Sequence, residues 1–196
     1  LIFVLMMGYA GSQAFNQNIA ECLYAGIMTD TGSFKHSSTS SKIHRTVADL
    51  IELGADVNKV SRLIYDTNSL ERLKFTGHAL AERLKVIHES RVAYFVIPEQ
   101  DFLDFNLKQG DTEGLVNYAL SIKNIAVAAI IIERDQEIKL SFRSINDFAV
   151  NKFAEEFFNG GGHKNASGGS SDLSLEKTEQ KIIELIKYAI LYTRIK

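Results

Sequence analysis

Ala126-Val127-Ala128-Ala129-Ile130-Ile131-Ile132 is an unbroken apolar run, and a short way downstream Ile138-Lys139-Leu140-Ser141-Phe142 alternates apolar with polar residues. A short apolar run and a period-two alternation are both strand signals. Arg91 to Ile97 is rich in β-formers as well. Around these strands, Thr112 to Ile122 and Phe148 to Phe158 read as short helices. Lys177 to Thr193 reads as a final helix with Ile182, Ile186, Ala189 and Ile190 on one face. This half of the chain is therefore predicted to be a sheet domain carrying helices.

The preceding half has a different period. From Phe15 to Met28 apolar residues recur at helical spacing (Phe15, Ile19, Leu23, Ile27) and the stretch ends at Thr29-Asp30-Thr31-Gly32. Ser37 to Ser41 supplies N-caps for a helix running to Leu53 and closed by Gly54, and Asp56 caps another through Tyr65. Ser69 to Val86 is a long amphipathic stretch with Leu70, Leu73, Leu80 and Leu84 as anchors and Gly77 as its weak point. The fold class is α/β in two lobes: a helix-rich lobe over 1–68, a connector helix over 69–86, and a mixed-sheet α/β domain over 87–196. Pro98 is the sole proline, so no stiff proline-rich linker separates the lobes.

Composition narrows the function. The 196 residues are 45% hydrophobic and 23% charged, as in ordinary globular domains, which argues against disorder or a fibrous repeat. Lys and Arg number 22 against 24 Asp and Glu, a formal charge of −2. No positive excess exists to hold long duplex DNA by counterion release, so a nucleic-acid ligand would be short and locally gripped. Cys22 has no second cysteine to pair with, which suits a reducing, cytoplasmic compartment. Leu1 to Ala10 is apolar but lacks a basic leader and is too short to span a bilayer. It reads as a helix cut open in mid-domain, so the chain is expected to be the C-terminal part of a longer protein, without membrane attachment.

Three segments carry candidate chemistry. Gly160-Gly161-Gly162-His163-Lys164-Asn165-Ala166-Ser167-Gly168-Gly169 follows a predicted helix. Successive glycines let backbone amides approach an anion, with His163 adding a side-chain donor and Asn165 and Ser167 as neighbours. The competing reading is a helix C-cap followed by a flexible turn. Arg143 and Ser144 close the strand before that helix and offer a planar guanidinium fork and a hydroxyl, the alternative being an edge-strand arginine in solvent. In Gly26-Ile27-Met28-Thr29-Asp30-Thr31-Gly32-Ser33-Phe34, Asp30 is either a hard oxygen ligand for manganese or magnesium, or the acceptor of an Asx-turn. His36, His44, His78 and His88 have no partner at ligand spacing and read as surface or helix histidines.

Together, Gly26 to Phe34 and Gly160 to Gly168 resemble the DHH phosphoesterase family, in particular its branch of small oligoribonucleases that also act as phosphatases on 3′-phosphoadenosine 5′-phosphate. Asp111 to Asn117, Leu140 to Ser144 and Asn151 to Ala154 resemble the same branch. The resemblance implies a catalytic domain with two manganese ions and a smaller C-terminal domain that holds substrate. On it, Asp30 is a catalytic residue and metal ligand, while Arg143, Ser144, Gly160, Gly161, Gly162, His163 and Asn165 bind substrate. The implied substrates are short RNA oligonucleotides, 3′-phosphoadenosine 5′-phosphate or dinucleotides.

The Asp-His-His triplet of that family is not present, since no two of the five histidines are adjacent. Manganese is therefore expected to bind this chain weakly or not at all. Two metals would be needed to activate a water and stabilise developing oxygen charge, whereas a separate lobe can anchor a phosphate and position the scissile bond without them. The alternative is a nucleotide- or phosphate-binding module without turnover.

Overall fold

The computed structural model describes residues 15–35, 39–135, 137–145 and 147–193, with side chains up to 187. Leu1 to Ala10, His36, the cap candidates Ser37 and Ser38, and the side chains of Ala189 and Ile190 lie outside the described residues. The chain divides into two compact units, Leu1–Asn68 and Ser69–Lys196.

The first unit consists, among the described residues, of helices α1 (Gln17–Asp30), α2 (Ser41–Glu52) and α3 (Val57–Tyr65). Each begins at a polar cap. Asn16 Oδ1 accepts from the Ile19 amide, Ser40 Oγ from Ile43 and Asp56 Oδ1 from Lys59, which satisfies donors that a helix start leaves open. The end of α1 is a Schellman turn: Ser33 N donates to Met28 O, Gly32 N donates to Thr29 O, and Gly32 takes a positive φ of 56°. The buried face of α1 is Ala20, Tyr24 and Met28 together with Glu21. That is one residue round from the expected stripe of Ile19, Leu23 and Ile27, which are half-buried at its edge. The shift arises because Leu50 of α2, Ala55 of the connecting turn and Val60 of α3 lie on that side, and because Lys59 Nζ meets the Glu21 carboxylate at 2.6 Å.

The second unit begins with α4 (Leu70–His78), a π-helical turn (Ala79–Arg83) and β1 (Leu84–Ile87). The expected single helix over 69–86 thus stops early and its last residues form a strand. Its inward residues are Phe75 and Ala79, whereas Leu70 and Leu73 are exposed. Asp101 explains part of the break. It is buried, accepts two hydrogen bonds from the Arg83 guanidinium at 2.8 and 2.7 Å, and so ties the π-helical turn to α5.

Next come β2 (Val92–Ile97), α5 (Glu99–Asp104), α6 (Leu115–Leu120), β3 (Val127–Arg134), β4 (Glu137–Ser144), α7 (Val150–Phe157), β5 (Gly161–His163), β6 (Ala166–Ser171) and α8 (Leu175–Thr193). The sheet is six-stranded in the order β1-β2-β3-β4-β6-β5. Only β2 and β3 run parallel, and the parallel connection passes through α5 and α6.

Both sheet faces carry core, but not equally. On one face Val127, Ala129 and Ile131 of β3 and Ile138, Leu140 and Phe142 of β4 pack with Val150, Phe153 and Ala154 of α7 and Leu175, Ile182 and Ile186 of α8. On the other, Ala93, Phe95 and Ile97 of β2 and Ala128 and Ile130 of β3 pack under Phe75, Phe102, Leu115, Val116 and Ala119. Strands β4, β6 and β5 contribute nothing to this second cluster. The reason is written in β4, whose residues on that side are Lys139, Ser141 and Arg143. Among the described residues of the second unit, this half of the sheet face is polar and belongs to no hydrophobic core cluster.

Candidate functional site

Alternate residues of a strand point to opposite faces, and directly paired residues share one. Arg143 pairs with Ala166, and Ala166 pairs with His163. Arg143 and His163 thus stand in one row across three strands, about 10 Å apart by strand spacing, with the small Ala166 between them. The neighbouring row is Ser141, Gly168 and Gly161. Arg143 and Ser141 also line a cleft of about 410 Å³ with Ile130 and Ile132 of β3 and with Thr112, Glu113, Gly114 and Val116 at the start of α6. The cleft has an apolar side, a cationic end and a polar rim.

The electrostatics of Arg143 are unusual. Strand β4 lies inside the sheet, so Arg143 is not the solvent arginine of an edge strand. Burial pushes its guanidinium below its ordinary value, yet among the described residues its Nη1 donates to the carbonyl of Phe142, at 2.9 Å, and to no carboxylate. Among the described residues it makes no ion pair. A half-buried charge without a counter-charge is costly unless something supplies one. Most of its five donors remain available for an anion.

The glycine-rich segment differs from the expected loop. It is an antiparallel hairpin, with β5 and β6 joined through Lys164-Asn165. In such a pair only every second residue turns its amide away from the partner. Successive amides of Gly160, Gly161 and Gly162 therefore cannot converge on one anion. The glycines serve close packing: a Cβ on Gly160 would sit 2.0 Å from Gly168 O, one on Gly162 2.7 Å from Ala166 O, and one on Gly169 2.7 Å from Phe158 O. Gly161 has room, with Glu155 Oε1 at 3.8 Å. The hairpin is held onto the start of α7, because Val150 N donates to Lys164 O and Ser167 Oγ donates to Val150 O, both at 2.8 Å.

Ser144 and Asn165 do not join the row of Arg143 and His163. Ser144 follows Arg143 on the strand and so faces the other way. It is buried, donates to Phe148 O at 2.7 Å and accepts from Asn165 Nδ2 at 2.9 Å. The Ser144 amide also donates to Asn165 O. These two residues brace the hairpin against β4 from behind the Arg143 face. The sequence carries Thr112, Glu113 and Ser141 inside the family-like stretches Asp111–Asn117 and Leu140–Ser144 but assigns them no place at a cleft; the structure puts them on its lining. The alternation of Ile138, Leu140 and Phe142 with Lys139, Ser141 and Arg143 was the available signal.

Asp30 is the last residue of α1, in the first unit, and is exposed. A carboxylate at a helix C-terminus opposes the helix dipole, so local helix stability does not account for it. Among the described residues no group of three His, Cys, Asp or Glu side chains could hold a metal ion. Asp30 therefore belongs to no such group among the described residues.

The second unit is thus a mixed-sheet α/β domain with a polar stretch of sheet face, a half-buried arginine that makes no ion pair among the described residues, and a glycine-rich hairpin. The chain belongs to the DHHA1 domain family, matched over residues 77–191. It is 29% identical over 156 residues to the bifunctional oligoribonuclease and PAP phosphatase NrnA of Bacillus subtilis, covering 79% of this chain and 48% of that protein. It is 30% identical over 167 residues to the probable bifunctional oligoribonuclease and PAP phosphatase NrnA of Streptococcus mutans, covering 85% and 52%. The crystal structure of an exopolyphosphatase-related protein from Bacteroides fragilis superposes with a TM-score of 0.92 at 34% identity, over 95% of this chain and 55% of the other. The chain spans about half the length of the curated relatives it matches. No helix among the described residues is long and apolar enough to cross a membrane.

Proposed function

We propose that the second unit is the substrate-holding domain of a phosphodiesterase acting on short RNA, 3′-phosphoadenosine 5′-phosphate or dinucleotides, and that Arg143 receives a substrate phosphate. The observation that carries this reading is the half-buried guanidinium of Arg143 without an ion-pair partner among the described residues, on a sheet face where small residues leave space. His163, in the same row, adds a second donor to a phosphate or a neighbouring hydroxyl. The apolar side of the cleft, Val116, Ile130 and Ile132, suits the flat face of a base. The names of the relatives support substrates of this size, and so does the net charge of −2, which disfavours a long polyanion.

Binding remote from the bond that breaks serves catalysis by positioning. Arg143 fixes a phosphate, the rim fixes the sugar and base, and the scissile bond is thereby placed. Manganese, when bound by a complete DHH domain, supplies the activated water. The side chains described do not form its site, and the steps assigned here are binding and orientation alone. Titration calorimetry with 3′-phosphoadenosine 5′-phosphate tests the reading, which requires saturable binding lost in Arg143→Ala. The second reading, a binding module without turnover, is favoured by the lack of a metal-ligand cluster among the described residues. Manganese-dependent release of phosphate by the purified chain would overturn it.

A further inference from the structure

The rim of the Arg143 cleft is a short segment with little holding it. Residues 111–113 are bracketed by Gly110 and Gly114, whose φ angles of 98° and 83° are ones that other residues seldom adopt. The hydrogen bonds inside the segment are local turns: Glu113 N to Gly110 O at 2.9 Å, Leu115 N to Thr112 O at 3.2 Å, and Lys108 N to Asp111 Oδ2 at 2.6 Å. Such contacts shape a turn without fixing where it sits. Among the described residues, the one hydrogen bond reaching 110–114 from a distant part of the chain comes from Arg72, whose Nη2 donates to the Glu113 carbonyl at 2.9 Å.

Arg72 is itself well placed to hold. It lies in the first turn of α4, where its own amide donates to the N-cap Ser69 Oγ at 3.0 Å. In the next turns of α4, Phe75 is fully buried and Ala79 follows it into the core beneath the rim. The guanidinium therefore extends from a core-anchored helix to a turn held mainly by its own local hydrogen bonds. It makes no ion pair among the described residues, so its charge is not diverted to a carboxylate elsewhere.

We infer that Arg72 is a positioning residue for the cleft: by holding the Glu113 carbonyl it fixes the Thr112 to Gly114 rim at the height at which a ligand anchored on Arg143 can be gripped. This rests on the reading of the cleft as a nucleotide site. The physical argument is preorganisation. A rim that must be ordered during binding subtracts its ordering cost from affinity, and a rim already held does not.

The test uses the whole chain with 3′-phosphoadenosine 5′-phosphate as the probe, comparing the wild type with Arg72→Ala, Arg72→Lys and Arg143→Ala. Arg72→Ala is expected to raise the dissociation constant about five- to tenfold, within the net worth of one ordinary hydrogen bond. Amide exchange at Glu113 and Leu115 should quicken while the melting temperature stays near wild type. Arg72→Lys retains a cationic donor on a long stem and should recover part of the affinity. Wild-type affinity in a folded Arg72→Ala variant, with Arg143→Ala impaired, overturns this inference and leaves the cleft reading intact. Failure of the wild-type chain to bind the nucleotide overturns both. A loss of affinity that follows a lowered melting temperature, with Arg72→Lys no better than Arg72→Ala, assigns Arg72 a merely structural role and also overturns it.

Discussion

Gly160→Ala is expected to be among the most damaging single-methyl additions in this chain. The new Cβ would lie 2.0 Å from Gly168 O, 2.7 Å from Gly169 Cα and 2.9 Å from Gly168 C, all backbone atoms, where real Cβ contacts essentially never fall below 3.0 Å. No rotamer change relieves such a clash, so β5 must retreat from β6 by about 1 Å. Overpacking of this kind costs about 1–3 kcal/mol. Loss of one or two bonds of the short ladder adds about 1 kcal/mol each, for a total of roughly 2–5 kcal/mol against about 1 for an average substitution. Gly168→Ala is the control. Its Cβ meets only Leu140 O, at 3.4 Å, so stability should change by less than about 1 kcal/mol. That methyl shares the sheet face of Ser141, however, and should weaken nucleotide binding. Urea unfolding followed by circular dichroism, with hydrogen exchange at β6 amides to assign the transition to the second unit, measures the first effect, and calorimetric titration the second. A Gly160→Ala protein within about 0.5 kcal/mol of wild type, the range of an innocuous surface change, would refute the claim that the glycines are present for close strand packing.

Arg143→Ala should leave the melting curve nearly unchanged, because the residue joins neither core cluster. It should weaken binding of 3′-phosphoadenosine 5′-phosphate by about 1.5–3 kcal/mol in a titration. Ser144→Ala should do the reverse: it removes the hydroxyl that donates to Phe148 O and accepts from Asn165 Nδ2, lowering stability by about 1–3 kcal/mol with little change in intrinsic affinity. In the first unit, hydrogen bonds from Lys59 and then Gln17 hold the Glu21 carboxyl below its ordinary value of 4.5. A depressed acid contributes stability that is complete above pH 4.5 and is lost as pH falls below it. Unfolding of the first unit should therefore become easier in that acid range for wild type, and Glu21→Gln should flatten this part of the pH profile. Lys59, raised above 10.5 by the same partner, adds stability that is present below pH 10.5 and lost above its folded value.

Local chemistry made much of this protein legible in advance. Ser40 and Asp56 capping their helices, and the strands read from Arg91–Ile97, Ala126–Ile132 and Ile138–Phe142, are determined by neighbours a few residues away, through period and capping. Arg143 and His163 stand out in the sequence for a similar reason, since a guanidinium and an imidazole are donors wherever they lie. What had to await the tertiary structure was pairing and facing. Gly160 to Gly169 has no side-chain pattern to announce a strand, and only the approach of β6 to β5 and β4 makes one of it. The exposed Leu70 and Leu73, against buried Phe75 and Ala79, show that an amphipathic stretch leaves open which residues will meet a core. The role of Ser144 turned on strand parity, which places it on the face opposite Arg143. The tether from Arg72 to Glu113 joins positions far apart in the chain, and no local rule of sequence reaches so far, because hydrogen bonds of that kind exist only once the sheet has brought α4 and the rim together.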